Sequence, residues 1–324
     1  MILCDKHLDH LPLYRQPGRF TQDWIQIAPS TIEGWAKQAL EKREPLYKLL
    51  ENQTKARGYL QVDETPIKVQ DRDKKSSCHL GYYWVYNSPV QKTVLISYAP
   101  TRSDSAPRPM LEHFNGYLQT DGYVVYENYA RSKQVTHAAC WAHARRELER
   151  TLDNDRTRAE KALSFIQKLY AVERKAQQQG LFADQIKALR LEESLPIINE
   201  FGKWIAEELH HILPKSRIGK AMAYSLNRWK ALCIYLHEGN LKIDNKEVGN
   251  TIRPIALGRK NYLFAGSHQA AQRASMISSF FATCKKHEVS PFDWLKHTLE
   301  NIMDINQKHL ESLFPQNHKI NCSS

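Results

Sequence analysis

The 324-residue sequence predicts a mixed α/β fold: a sheet flanked by helices, with an all-helical insertion and a helical N-terminal segment. Three observations lead there. From Gly58 onward the pattern changes from helical to extended, in runs rich in Val, Ile and aromatics bounded by turn signals. Single strands and helices then take turns up to about residue 154. Between residues 155 and 240 apolar side chains recur only at three- and four-residue steps. Successive strands followed by strand–helix alternation describe a mixed sheet with helices on its faces.

Residues 1–57 form the helical N-terminal segment. Ser30 and Thr31 are candidate caps for a helix through Ile32, Trp35, Ala36 and Leu40, with Glu33 in its first turn. Leu8, Leu11 and Leu13 mark a partner segment, which makes a candidate helix-turn-helix; an ordinary helical cap is the alternative. Residues 58–154 hold the first part of the core. Strands are predicted over 60–69, 80–86 and 93–98, the later pair antiparallel across Asn87-Ser88-Pro89. A helix over 105–114, a strand over 117–120, a short helix over 123–129, a strand over 134–139 and a helix from Trp141 follow. In the all-helical insertion, 155–240, the series Met222, Leu226, Trp229, Cys233 and Leu236 reads as core rather than a cofactor box. Residues 241–267 carry a helix starting near Asn245 and a basic segment that complete the core, and 268–324 hold C-terminal helices over 269–287 and 291–303 and a tail.

Charge speaks to partners. Lys and Arg number 46 against 35 Asp and Glu, a formal excess of +11, which suits a polyanion; the alternative is charge for solubility alone. An apolar fraction of 42% can fill a sizeable core. No run of 18 uncharged apolar residues occurs, and the first ten residues have no apolar signal segment, so a soluble, cytoplasmic protein without a membrane partner is expected. The six cysteines include no C-x-x-C pair, which argues against a zinc ribbon and for reduced thiols.

Two segments echo each other, Leu60-Gln61-Val62-Asp63 and Leu118-Gln119-Thr120-Asp121. Aspartate is depleted in strands, so each needs a reason. Holding a divalent cation is one; serving the turn that follows is the other, since Asp121-Gly122 is a turn dipeptide. After the fifth strand, Arg146 and Arg150 share one face of a helix, where cations suit phosphates, offset carboxylates of the sheet, or form a solvated basic face, and His143 by itself reads as structural. Further on, Arg253, Arg259 and Lys260 interleave with Tyr262 and two Gly-containing turns, a pattern suited to lying along a nucleic-acid backbone.

Together these segments resemble the insertion sequence 66 family of bacterial transposases. The resembling stretches are Asp9-His10-Leu11-Pro12-Leu13-Tyr14-Arg15-Gln16, Val62-Asp63-Glu64-Thr65-Pro66, Leu118-Gln119-Thr120-Asp121-Gly122-Tyr123, residues 140–146, and Ile252-Arg253-Pro254-Ile255-Ala256-Leu257-Gly258-Arg259-Lys260-Asn261 through Phe264-Ala265-Gly266-Ser267. The resemblance implies a ribonuclease H-like core with an Asp, Asp, Glu catalytic triad, an all-helical insertion before the Glu, and Mg²⁺ or Mn²⁺ for DNA strand cleavage and transfer in transposition. Carried over by position, Asp63 and Asp121 are the first two catalytic and metal carboxylates, and Arg145, Arg146, Arg253, Arg259 and Lys260 are DNA-binding candidates. Implied partners are the element's terminal repeats and target DNA, further copies of the chain in a synaptic complex, and accessory element proteins, at the bacterial nucleoid.

The third position departs from the pattern. The family's Glu stands three residues before the Ile of Ile-Arg-Pro, and Gly249 occupies it here. Glu247 is displaced by about 200° around a helix and points elsewhere. Impaired chemistry is therefore expected, and the alternative reading is a catalytically inactive regulator that binds DNA or full-length transposase, or a decayed fragment. Family members also carry a longer N-terminal region with a cysteine-rich module, so a truncated copy is expected.

Overall fold

The computed structural model describes residues 1–71, 78–130 and 134–318. Helices α1 (Ile2–His7), α2 (Gln16–Gln22), α3 (Pro29–Glu41) and α4 (Glu44–Lys55) come first, and proline sits in the opening turn of the last three, where a missing N–H costs least. Helix α3 starts at Pro29, so Ser30 and Thr31 lie inside it rather than capping it. Ile32, Ala36 and Leu40 form its buried stripe. The expected partner helix through Leu8, Leu11 and Leu13 does not form. Leu8 ends α1, is exposed, and precedes His10 at φ 58° and Pro12, so the chain turns there and resumes with a short 3₁₀ turn at Leu13–Arg15.

Strands β1 (Tyr59–Val69), β2 (His79–Ser88) and β3 (Thr93–Ala99) follow. Next come α5 (Arg108–Leu111), β4 (Gly116–Thr120), α6 (Val124–Ala130), β5 (Val135–Ala139) and α7 (Trp141–Glu149). Helix α5 is a single turn instead of the predicted ten residues, because the ring of Pro109 would strike the carbonyl of residue 105 in a longer helix. The insertion supplies α8 (Arg156–Gln178), α9 (Ala183–Leu189), a π-helical turn (Arg190–Ser194), α10 (Leu195–Leu209), α11 (Arg217–Asn227) and α12 (Trp229–Cys233). Helices α13 (Lys246–Tyr262), α14 (His268–Lys286) and α15 (Pro291–Asn301) complete the chain. The fold is mixed α/β, and among the described residues no helix is long and apolar enough to cross a membrane.

The chain divides into two compact units, one of Met1–Asn115 with Glu247–Ser324, the other Gly116–Lys246. In the first, β1 and β3 both pair antiparallel with β2. One face buries Ile67, Val69, Tyr83, Val85, Val94 and Ile96 against Val248 and Ile255 of α13 and Ala271 of α14. The outer edge of β3 is closed by side chains: Ser279 Oγ accepts the Ile96 N–H at 2.8 Å, and Thr283 Oγ1 accepts that of Val94 at 3.1 Å.

In the second unit β4 and β5 run parallel. Behind them the insertion packs an aromatic cluster: Phe165 stacks on Phe201 with centroids 4.9 Å apart, and Trp141 and Trp229 meet Phe201 from other sides. Trp229 comes so close to Gly202 that a Cβ there would lie 2.8 Å from its ring. Arg190, 2% exposed, spends all five N–H donors. Two go to Glu173 at 2.7 and 2.8 Å, and three to the carbonyls of Tyr235, Glu238 and Leu241. This clamps the chain that returns from the insertion. The same returning segment is tied to β4 through Gln119, which donates to the Lys242 carbonyl at 2.7 Å, and to the start of α7 through Trp141 N–H to Ile243 O at 3.2 Å.

Candidate functional site

Asp63 sits mid-strand in β1, half-buried. Strand alternation puts Gln61, Asp63, Thr65, Ile67 and Val69 on one face, and the register sets Asp63 opposite Val85. Val85 belongs to the cluster that packs on Val248 and Ile255, so Asp63 projects to the face that α13 covers. Its Oδ1 accepts the Glu64 N–H at 2.8 Å. The adjacent Glu64 faces the other way and accepts from Arg102 Nε at 2.7 Å. Alternation thus separates the two neighbouring acids of Val62-Asp63-Glu64.

Gly249 lies in the first turns of α13, beside the buried Val248. A Cβ built there would meet nothing within 4 Å, so a larger side chain has room. Glu247 is engaged elsewhere: its carboxylate pairs with Lys286 Nζ at 2.6 Å and accepts from Asn87 at 3.4 Å. Asn87 also donates to the fully buried Gln61 at 2.9 Å.

In the second unit, Asp121 follows the last residue of β4. Its Oδ1 accepts the Tyr123 N–H at 2.9 Å, an Asx turn. Thr120 Oγ1 braces this turn, bonding the Asp121 carbonyl at 2.9 Å and His137 Nε2 at 2.9 Å. The Asp121 carboxylate acts on two further side chains. Burial holds the His143 imidazole below its usual range, Asp121 pulls it part of the way back, and Arg146 pushes it down again. Among the described residues His143 Nδ1 is buried without a hydrogen-bond partner. Burial also pushes the Tyr224 hydroxyl up to about 12, with Arg228 opposing and Asp121 adding to the rise. Cys140, at the start of α7, is pushed up to about 11 by burial and accepts the Asn245 N–H at 3.4 Å, so it is a protonated packing residue rather than a nucleophile.

The basic candidates divide between the units. On α7, Arg145 pairs with Glu149 at 2.8 Å and Arg146 is exposed. On α13, Arg253 and Lys260 are exposed, while Arg259 donates to the Pro66 carbonyl at the end of β1. Only one of the two expected Gly-containing turns exists here, because α13 runs through Pro254 and Gly258 to Tyr262. Gly258 lies inside the helix, and the Tyr262 hydroxyl packs over it where a Cβ would stand.

Residues 1–273 match the sequence profile described as Transposase IS66 family, and residues 279–316 match the IS66 C-terminal element. The chain belongs to the IS66 transposase family. Its relatives include two proteins of Sinorhizobium fredii, y4hP and y4jD, both called uncharacterized. The first is 32% identical over 97% of this chain and 60% of its own length, the second 29% identical over 98% and 65%. The chain thus spans less than two thirds of the length of the relatives it matches. No solved structure matches.

Sequence reasoning passed over one residue that this member of the transposase family places against the Asp121 turn. Arg228, at the end of α11, donates from Nη2 to the Gly122 carbonyl at 3.1 Å, and its guanidinium lies 4.3 Å over the Tyr224 ring. A Cβ on Gly122 would fall 2.7 Å from Arg228 Nε, so the glycine is what admits the arginine. The available signal was a cation next to Trp229 in an otherwise apolar stripe.

Proposed function

We propose that this chain is the catalytic portion of a metal-dependent insertion-sequence transposase with a ribonuclease H-like core, acting on terminal repeats and target DNA in an assembly of like chains, and that Asp63 and Asp121 are its metal carboxylates. One observation carries the reading beyond family membership: Asp63 projects to the face of β1 covered by α13, the helix that bears position 249.

Both aspartates are half-buried, hard oxygen donors of the class that Mg²⁺ and Mn²⁺ take. With Gly249 at the third position the chain offers two of the three carboxylates the family implies, and among the described residues no group of three or more His, Cys, Asp and Glu converges. The open space at Gly249 fits the missing one. When bound, the ion supplies Lewis-acid activation of a phosphoryl oxygen and of water. The chain's own residues then do two things: Asp63 and Asp121 hold the charge, and the exposed Arg146, Arg253 and Lys260 draw in the DNA backbone.

The test is Mg²⁺- and Mn²⁺-dependent cleavage of duplexes carrying the element's terminal repeats. Gly249→Glu is expected to cleave faster than the native chain by roughly tenfold or more, the scale on which metal sites respond to altered ligation. Asp63→Asn or Asp121→Asn in the Gly249→Glu background is expected to abolish cleavage. Equal rates with Gly or Glu at 249 refute the impairment, and undiminished cleavage after Asp121→Asn refutes the carboxylate assignment. A second reading, a DNA-binding regulator without cleavage, is favoured by Gly249 itself; a mobility shift without cleavage in either metal supports it.

A further inference from the structure

We infer that the turn Leu263-Phe264 is an apolar wedge for double-stranded DNA, entering a base step some distance along the duplex from the point of cleavage; this rests on the reading of the chain as a transposase whose active site lies beside α13. Every residue involved belongs to the first unit. Position 249 starts a stripe on α13. Arg253, Leu257 and Lys260 follow it at steps of four, four and three residues, so all share one face, and these three side chains are exposed. The stripe leads from the family's third carboxylate position to the turn that ends the helix.

That turn holds its side chains outward. Leu263 takes φ 51°, a left-handed conformation that strains a bulky residue, and it is 63% exposed; Phe264 beside it is 42% exposed. The backbone around them is fixed. Ala265 N–H donates to the Lys68 carbonyl at 2.8 Å and Gln70 N–H to the Ala265 carbonyl at 2.8 Å, which staples the turn to the end of β1. Neither the strain nor the exposed apolar area favours folding, since glycine would take the same φ freely. Both make sense against a partner, and charge selects which. From Val248 to His287 the sequence holds no acidic residue and six Lys or Arg. Arg253, Lys260 and the neighbouring Lys68 are exposed, and among the described residues none of the three pairs with an acid. Cations around an apolar pair suit a duplex: the cations meet backbone phosphates, while Leu and Phe part a base step. Between positions 249 and 262 the helix rises about 20 Å at about 1.5 Å per residue, or roughly six base steps of about 3.4 Å.

The experiment uses duplexes carrying the element's terminal repeat with 2-aminopurine, whose emission rises when it unstacks, at successive positions. They are titrated without metal with the native chain, Leu263→Gly and Phe264→Ala. The native chain should raise the emission at one position or two adjoining ones, and either variant should abolish the rise. A mismatch at the responding step should tighten binding by the native chain roughly tenfold, the free energy of one stacked step, and leave both variants unchanged. Thermal unfolding separates the wedge from a packing role: Leu263→Gly should unfold at the native temperature or higher. Duplex binding without a rise at any position, a rise that both variants retain, or earlier unfolding of Leu263→Gly overturns the inference and leaves the transposase reading intact. So does a native dimer, seen by light scattering without DNA, that Leu263→Gly dissolves, since a second copy would then cover the turn. Absence of any duplex binding by the native chain overturns that reading, and the inference with it.

Discussion

Asp63 stands in the middle of an eleven-residue strand, opposite Val85 in a ladder whose face is packed with aliphatic side chains, whereas Asp121 stands just past a five-residue strand in a turn held by hydroxyls and amides. The first is positioned by register: to move it, β1 would have to slip against β2, and a slip of one residue would expose the whole buried face. The second is positioned by individual polar contacts, each of modest worth and each sensitive to charge. The lesson is that two chemically equivalent carboxylates can be fixed by apolar packing in one unit and by a hydrogen-bond scaffold in the other. Perturbations should therefore act on them differently.

The largest expected effect is in the second unit. Arg190→Met removes all five donors from a buried network and leaves Glu173 without its cation; about 3–5 kcal/mol should be lost. Chemical denaturation measures it, and hydrogen exchange should localise the loss to residues 116–246. A loss spread equally over both units would break the contrast. Next comes Val85→Ala in the first unit, which opens a small cavity under Asp63 and should cost about 2 kcal/mol by the same measurement. Thr120→Val, which strips the brace from the Asp121 turn, should cost about 1 kcal/mol and raise exchange at Tyr123.

The smallest effect is in pH dependence. His7, in the first unit, is held well below its usual range by burial, then by Lys6 and His10; His143 is lowered too, but Asp121 offsets part of the shift. A histidine whose folded pKa is depressed resists protonation only when folded. Above about pH 6.5 it contributes no slope; as pH falls below that, the unfolded chain takes up the proton first and stability declines. Denaturation at pH 7.5 and 5.5 should show this decline, and His7→Gln should flatten it more than His143→Gln. The reverse order would mean that the polar surroundings of Asp121, not the apolar unit, dominate the acid response.

Much of this architecture is legible in the sequence. The five strands fall where runs rich in Val, Ile and aromatics predict them, and the insertion is helical where apolar residues recur at steps of three and four. Alternation alone separates Asp63 from Glu64, and helical geometry alone turns Glu247 away from position 249, as its pairing with Lys286 agrees. Other features depend on contacts across long sequence separations. Gly258 reads as a turn residue until the Tyr262 hydroxyl is seen pressed against it inside a helix. Arg228 reads as one cation among many until the fold brings it to Gly122. The helix predicted over residues 105–114 shrinks to the single turn Arg108–Leu111, its N-terminal part cut back by the ring of Pro109.

The hydroxyls of Ser279 and Thr283 along β3 have a consequence for self-association. A sheet border whose amides at Val94 and Ile96 are already taken offers no template for an added strand, and the Tyr47 hydroxyl occupies the Ile96 carbonyl as well. An added strand at that border would first have to peel α14 away, so β-augmentation there is closed.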